Sequence, residues 1–385
     1  MKIMKKAIVI TITLLMLMSG MFGMINVSNG SENSAGISSA PGNNVPLLTS
    51  HAPIRINSNA DFTSANGVSG GSGTEADPYI IENYDIDGSG AGSALYIGNT
   101  TVYFIVRNCS LHDASGNSNT YFWNSGAALY NVTGGILENN NASSNGRYGI
   151  YLDYSDSNTI RNNTANSNTH HGIWLASSDS NIIKNNSASN NNNYGIVLKS
   201  SSSNTITNNT ANSNNQDGVW LASSSNNNII NNNASSNGGY GIFLYSSSSN
   251  NSIISNTITS NQQHGIYLSS SSSNTIANNT ASSNNNYGIY LFSSDSNNIT
   301  NNNLSNNYYG GIYLSNSDSN NITNNTASSN NNYGIYLFSS ASNTLSNNIV
   351  SNSNYYGLFL YYSQNDVLTG NTMINNSIYI YMVIL

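Results

Sequence analysis

One recurring step governs this sequence: a glycine, an apolar residue, any residue, then a leucine. It opens at Gly126 and returns every 23 residues at Gly149, Gly172, Gly195, Gly218 and Gly241. After one 24-residue interval it continues at Gly265, Gly288, Gly311, Gly334 and Gly357. A fixed period in this range is the signature of stacked repeats, each unable to bury its apolar face alone. With the glycine counted as position 0, leucine stands at +3 in every copy from Leu129 to Leu360. Position +11 is Ile or Leu in the in-phase copies, from Leu137 to Leu368. Position +16 is small or apolar, usually Ala, and +14 is Asn from Asn140 to Asn371.

Apolar residues two apart, as in Gly-Ile-Tyr-Leu, have the period of a strand. Asn, Ser and Gly fill most of the rest and favour turns over helix. Each repeat is therefore short strands joined by polar turns. The predicted fold is all-β, a right-handed parallel β-helix with 23-residue coils. Handedness follows the rule for parallel crossovers, and the rod is on the order of 50 Å long at about 4.8 Å per coil. The Asn column at +14 reads as a buried amide ladder. An Asn-rich disordered tract is the rival reading; the strict register of Gly, Ile and Leu weighs against it.

Only 6% of residues are charged, against about 25% in an ordinary globular domain. The formal charge is −7, and setting aside Lys2, Lys5 and Lys6 leaves six basic residues against sixteen acidic. That excludes nucleic acid, which needs a basic track. Residues 1–25 read as a signal peptide or N-terminal anchor: a basic start and an apolar run, with no clear small-x-small cleavage site. This is the one segment expected to meet a membrane, and it makes the protein secreted or surface-bound. Residues 26–60 read as a Ser/Asn/Gly linker. Residues 61–125 read as an N-terminal cap with irregular first coils, with a loop near 113–124, and residues 126–385 as the regular repeats. Cys109, the only cysteine, reads as a small buried residue. Asn-x-Ser/Thr sequons are frequent, as this composition makes them. The apolar run at the C-terminal end starts a new coil without a polar cap, so a partner covering that end and a chain that continues are both open.

The segment Gly71-Ser72-Gly73-Thr74-Glu75-Ala76-Asp77-Pro78-Tyr79-Ile80-Ile81, followed by Gly-Ile-Tyr-Leu and Asn-x-Ile-x-Asn-Asn coils, resembles the NosD-like right-handed β-helix proteins. These belong to the pectin-lyase-like superfamily, with its carbohydrate-binding and sugar-hydrolase repeats. The resemblance covers residues 61–380 and implies a surface protein of that fold. It leaves function open among enzymes, adhesins and structural rods. NosD itself is linked to copper delivery. Copper wants clustered His, Cys or Met; here His112, His170, His171 and His264 are scattered and the methionines lie mostly in the leader, so copper is not expected.

Function must be sought where coils depart from the repeat. Position +2 faces outward and carries Tyr151, Trp174, Val197, Trp220, Phe243, Tyr267, Tyr290, Tyr313, Tyr336 and Phe359. Tyrosines at −1 widen this aromatic face. A large exposed apolar patch marks an interaction site, and flat rings one coil apart suit the faces of sugar rings. Rings that only stack on each other, or that dock another surface protein, are the alternatives. Residues 221–385 contain no Lys or Arg. The earlier coils instead gather Arg147, Asp153, His170, His171, Lys199 and Asp217 beside Trp174 and Trp220. Asp217 or His171 would accept a proton, and Lys199 or Arg147 would hold an acidic sugar. Asp153 and Asp217 fall about three coils apart, on the order of 14 Å, beyond the usual glycosidase separations of about 5–9.5 Å. A polysaccharide or cell-envelope glycan partner without catalysis is therefore favoured over a lyase or hydrolase at residues 147–220, and over a structural rod. Asp156 and Asp179, like Asp295 and Asp318, stand at +7 of adjacent coils. They read as Asx turns, with shared Ca²⁺ as the alternative.

Overall fold

A computed structural model describes residues 47–116 and 123–383. Two sheets of fourteen strands each run the length of the repeat region. A third is built from short strands linked by isolated parallel bridges such as Asn141↔Thr164 and Thr210↔Asn233. Pairing joins residues one repeat apart: Ile150 with Ile173, Leu137 with Ile160, Leu291 with Leu314. The chain is thus a parallel β-helix with three faces. Among the described residues the helical elements are two short 3-10 turns, Asn59–Asp61 and Ser64–Asn66.

From Gly126 to Gly334 the coils send their +1, +3, +11 and +16 side chains inward, and these stack as continuous buried columns, mostly of Ile, Leu and Ala; the columns become partly exposed at Leu368 and Met373 in the last coils. Position 0 is glycine because the coils approach closely there. A Cβ on Gly149 would sit 2.7 Å from Ala142 O, the Ala165 methyl and Gly172 O.

The corners explain the Asn and Ser content. At each, one residue adopts the left-handed conformation and the next turns a polar side chain inward. Examples are Tyr154 (φ 48°) before Ser155, Ser157 (φ 57°) before Asn158, Asn162 (φ 58°) before Asn163 and Ser167 (φ 55°) before Asn168. Asn tolerates this conformation better than most residues. Four buried polar columns result, at +6, +9, +14 and +19; the sequence pattern predicts the +14 column alone. In the +14 column Asn163 uses its full capacity. Its Nδ2 donates to Leu137 O (2.8 Å) and Asn186 Oδ1 (3.1 Å), and its Oδ1 accepts from the backbone and side-chain amides of Asn140 (both 3.0 Å).

The solenoid starts inside the stretch that composition reads as linker. Ile54–Ile56 pairs with Ser93–Thr100, and both isoleucines are fully buried. Their alternation around Arg55 is a short strand signal within polar sequence. Cys109 is buried, as expected. The expected signal or anchor, most of the linker and the core of the 113–124 loop lie outside the described residues. Among the described residues no helix is long and apolar enough to cross a membrane.

Candidate functional site

The +2 side chains do form one column on the first sheet, but their faces are turned toward each other. Phe243, Tyr267, Tyr290, Tyr313, Tyr336 and Phe359 stack at 4.7–5.0 Å with interplanar angles of 8–17°. They are half-buried and present edges and hydroxyls to solvent. Strand spacing of about 4.8 Å matches ring thickness plus contact, so parallel pairing enforces the stack. The expectation of flat faces open to sugars is corrected on this point. Tyr151 is buried outright, at 7% exposure, and Val197, fully buried, interrupts the column between Trp174 and Trp220.

That interruption lies beside a cleft of about 290 Å³ lined by Trp123, Arg147, Tyr148, Tyr151, Trp174, Ala176, Ser177, Lys199 and Ser200. Its position follows from the register. Asp153, Ala176 and Lys199 share position +4 of three successive coils, so Ala176 leaves a gap between two longer side chains. The Arg147 guanidinium lies 5.0 Å from the Trp123 ring centre and 5.3 Å from that of Tyr148. Such cation–π contacts hold the charge at the cleft wall. Trp174 packs edge-on against Tyr148 (4.9 Å) and Tyr151 (6.2 Å), and its buried Nε1–H has no partner in the protein. Asp153 is half-buried and hydrogen-bonded by the Tyr151 hydroxyl; burial pushes its pKa up.

Four of the residues grouped by sequence, Arg147, Tyr151, Trp174 and Lys199, do meet here. His171 and Asp217 do not line the cleft. His171, at 5% exposure, is sandwiched between Tyr148 (5.4 Å) and Tyr194 (5.1 Å), and its Nδ1 accepts the Tyr194 N–H at 3.3 Å. Burial, with help from His170 and Arg147, drives its pKa down to about 3, so it is a neutral acceptor. Asp217, also 5% exposed, accepts the Tyr240 N–H at 2.7 Å, and burial pushes its pKa up to about 7. Both side chains hold the next coil's backbone. Trp220 stacks on Tyr194 at 5.4 Å, one coil beyond the cleft. Trp123 is the residue the sequence argument left out of the site. It stands ahead of the first regular coil, where phase gives no position; its rarity, one of three tryptophans, was the available signal.

The +7 aspartates hold turns. Asp156 Oδ1 accepts the Asp179 N–H (2.7 Å), and Asp179 Oδ1 that of Ser202 (2.6 Å). Asp295 and Asp318 repeat the arrangement toward Asp318 (2.8 Å) and Ala341 (2.6 Å). Each carboxylate spends one oxygen on the neighbouring coil.

The family profile described as periplasmic copper-binding protein (NosD) matches residues 64–263, just over half of the chain. The chain belongs to the NosD family. A second profile, the right-handed β-helix region, matches residues 248–383 and continues this NosD-family fold to its end. No curated protein sequence matches. Among solved structures, the A-module of the Azotobacter vinelandii mannuronan C-5 epimerase AlgE6 aligns with a TM-score of 0.57 at 16% identity, covering 76% of this chain and 88% of that one. The AlgE4 A-module from the same organism aligns with a TM-score of 0.50 at 14% identity, covering 76% and 90%. At such identity the likeness is one of fold.

The family description raises copper, so the donor sets matter. The only thiol is buried at Cys109, where burial pushes its pKa up to about 11 and its S–H donates to Arg107 O at 3.3 Å. Met373 packs against the core and Met382 lies on the last strand. No soft sulfur set of the kind Cu(I) prefers is assembled among the described residues.

Proposed function

We propose that this NosD-family chain is an exported polysaccharide-binding rod that holds an acidic sugar in the cleft of Arg147, Trp174 and Lys199. The observation that carries the reading is the lining of that cleft: two cations and four aromatic rings. Aromatic walls with a few fixed polar groups are the ordinary build of a ligand site. The guanidinium supplies the planar fork suited to a carboxylate. The chain's overall negative charge makes a local cationic pair in this cleft the natural seat for an anionic group. The stacked edges and hydroxyls running on from Trp220 offer a track for the rest of a long glycan. The family description speaks of the periplasm, and the two epimerases named above act, by their titles, on mannuronan.

A second reading is polysaccharide modification, a lyase or hydrolase at the same cleft. The Tyr151–Asp153 pair favours it, as a hydroxyl and a carboxyl at the edge of the cleft. Among the described residues no second carboxylate lines the cleft, which disfavours hydrolysis.

The test is intrinsic fluorescence of the full chain titrated with uronate-containing and neutral polysaccharides. Trp123 and Trp174 line the cleft and report directly. The expected result is a saturable shift with acidic chains that weakens about tenfold or more in Arg147→Ala and Lys199→Ala. No shift across both panels overturns the proposal. Shortened or unsaturated products would establish the second reading.

A further inference from the structure

A polar groove opens on a corner of the later coils, around Gly311. It encloses about 480 Å³, more than the cleft of Arg147, and Asn285, Asn306, Asn331, Asn352 and Asn354 line it around Tyr308. The groove sits where the repeat departs from its own pattern. Ahead of Gly288 and Gly334 the sequence reads Asn-Asn-Tyr; ahead of Gly311 it reads Tyr308-Tyr309-Gly310. The ring expected at −1 is absent at Gly310, and the Tyr287 ring takes the space, so that a Cβ on Gly310 would lie 3.0 Å from it. Tyr309 joins the ring stack against Tyr287 (5.9 Å, 28°). Tyr308 is left outside the stack. Its ring contact among the described residues is edge-on with Tyr309 (5.2 Å, 87°), and it is 59% exposed. Asn285 and Asn331 stand one coil before and after it, so no ring covers it along the rod as the +2 rings cover one another. The strand hydrogen bonds fix its place: Tyr308 N–H donates to Asn284 O (2.9 Å) and Tyr309 N–H to Asn286 O (3.0 Å). Tyr355, equally exposed, follows Asn354 two coils on, about 10 Å along the rod.

We propose that this groove binds an uncharged, polyhydroxylated glycan, with a sugar ring packed on Tyr308 and its hydroxyls bonded by the flanking amides. A pyranose presents a C–H face that packs on an aromatic ring and a rim of hydroxyls that both donate and accept. Each Asn amide offers donors and an acceptor to match. Asn285 Nδ2 spends one proton on Gln262 Oε1 (2.6 Å), and Asn354 Nδ2 one on Asn331 Oδ1 (2.9 Å). Among the described residues the side chains of Asn306 and Asn352 bond no protein group. Charge sets the ligand class. Residues 221–385 contain no Lys or Arg, and no carboxylate lines the groove, so neither an anion nor a cation finds a counter-charge. An apolar ligand finds a single ring. The coils pair with one another on both sides here, so the corner offers no free strand edge to an extended peptide. The groove shares with the acidic-sugar cleft only its class of ligand. The two lie seven coils apart, roughly 34 Å along the rod, and differ in charge, so each stands or falls without the other.

The test is calorimetric titration of the full chain with three uncharged polymers, dextran, laminarin and galactomannan, and separately with polygalacturonate. The expected result is a saturable heat with at least one uncharged polymer. Tyr308→Ala should lower that affinity about tenfold or more, and Asn354→Ala severalfold. Tyr308→Phe, which keeps the ring, should retain it, and Arg147→Ala should leave it unchanged. Tyr308→Ala should in turn leave the polygalacturonate response as in the parent. Far-ultraviolet circular dichroism separates loss of the site from loss of the fold. Failure of all three uncharged polymers to bind, binding unaltered in Tyr308→Ala, a loss in Tyr308→Phe equal to that in Tyr308→Ala, or an equal loss in Arg147→Ala overturns the proposal. A Ser/Gly-rich peptide bound with the same dependence on Tyr308 overturns it as well, by making the groove a peptide site. A missing polygalacturonate response alone sinks the acidic-sugar cleft and leaves this groove standing.

Discussion

Replacing Asn209 by leucine tests whether the buried amide columns hold the solenoid together. Asn209 Oδ1 accepts the backbone N–H of Asn186 (2.8 Å) and its side-chain amide (3.0 Å), and Asn209 Nδ2 donates to Ile183 O (2.9 Å) and Asn232 Oδ1 (3.0 Å). Leucine shares the branched shape, with bulkier methyl groups, but can do none of this. Asn232 Oδ1 keeps the Asn209 backbone N–H (2.9 Å). The Asn186 backbone N–H, one of its amide protons and the Ile183 carbonyl are left without these partners in a dry interior. Each buried orphan costs about 1–3 kcal/mol, giving about 3–6 kcal/mol after allowing for partial relaxation. The neighbour Asn208 is exposed with φ 56°. Asn208→Ala forfeits only left-handed tolerance, about 1–2 kcal/mol. Urea unfolding of both variants beside the parent gives the comparison. In a stack of nearest-neighbour coils the damage stays local, so hydrogen exchange should accelerate most around coils 186–232. If Asn208→Ala costs as much as Asn209→Leu, or if the exchange is raised evenly along the rod, the buried columns are not what holds adjacent coils.

Other expectations follow from the same geometry. Tyr313→Ala removes three ring contacts, to Tyr290 and Tyr336 at 4.7 Å and to Tyr287 at 4.9 Å. At about 0.5–1.5 kcal/mol each beyond area, thermal unfolding should register about 1.5–4.5 kcal/mol plus lost burial. Asp217 has a folded-state pKa raised to about 7 by burial. Its folded form binds the proton more tightly than the unfolded chain, so its contribution to stability is present below pH 4 and is lost as pH rises to 7. Asp217→Asn keeps the acceptor for Tyr240, so denaturation between pH 4 and 8 should show that decline removed and stability above pH 7 increased. His171 and His264 run the other way. Burial lowers both to about 3, so their contribution is lost as pH falls from about 6.5 toward 3. His264→Gln, followed over pH 3–7, should flatten that acid limb.

Period and phase made the fold legible, because each coil repeats the same inward residues and one register serves for all. The +14 column was visible because Asn is invariant there. The +9 and +19 columns were hidden because Asn and Ser also fill the exposed left-handed corners beside them, so composition masks burial. Asn162 and Asn163 are adjacent, identical in type and opposite in fate. The site was half legible for a related reason. Phase put Arg147, Trp174 and Lys199 on one face, and the structure brings all three to one cleft. It could not say that an outward position would be buried by its neighbours, as Tyr151 and His171 are. Outward on a lone strand becomes inward once tyrosines from adjoining coils lie over it.

The stacking of the outward rings limits where ligands can act on a rod of this kind. A β-helix whose outward rings stack at coil spacing closes its own aromatic faces; regularity removes binding surface. On this face the cleft of Arg147 and Lys199 opens where the column breaks. Here Val197 replaces a ring, Ala176 shortens position +4, and Trp174 is left with an unpaired N–H. Val197→Tyr should therefore continue the column from Trp174 to Trp220 and narrow the cleft. If the break is what makes the site, this variant gains stability from the added ring contacts, about 0.5–1.5 kcal/mol each. It also loses affinity for acidic polysaccharide while Arg147 and Lys199 remain in place. A variant that binds as the parent does would place the ligand on the stacked edges instead, with the break incidental.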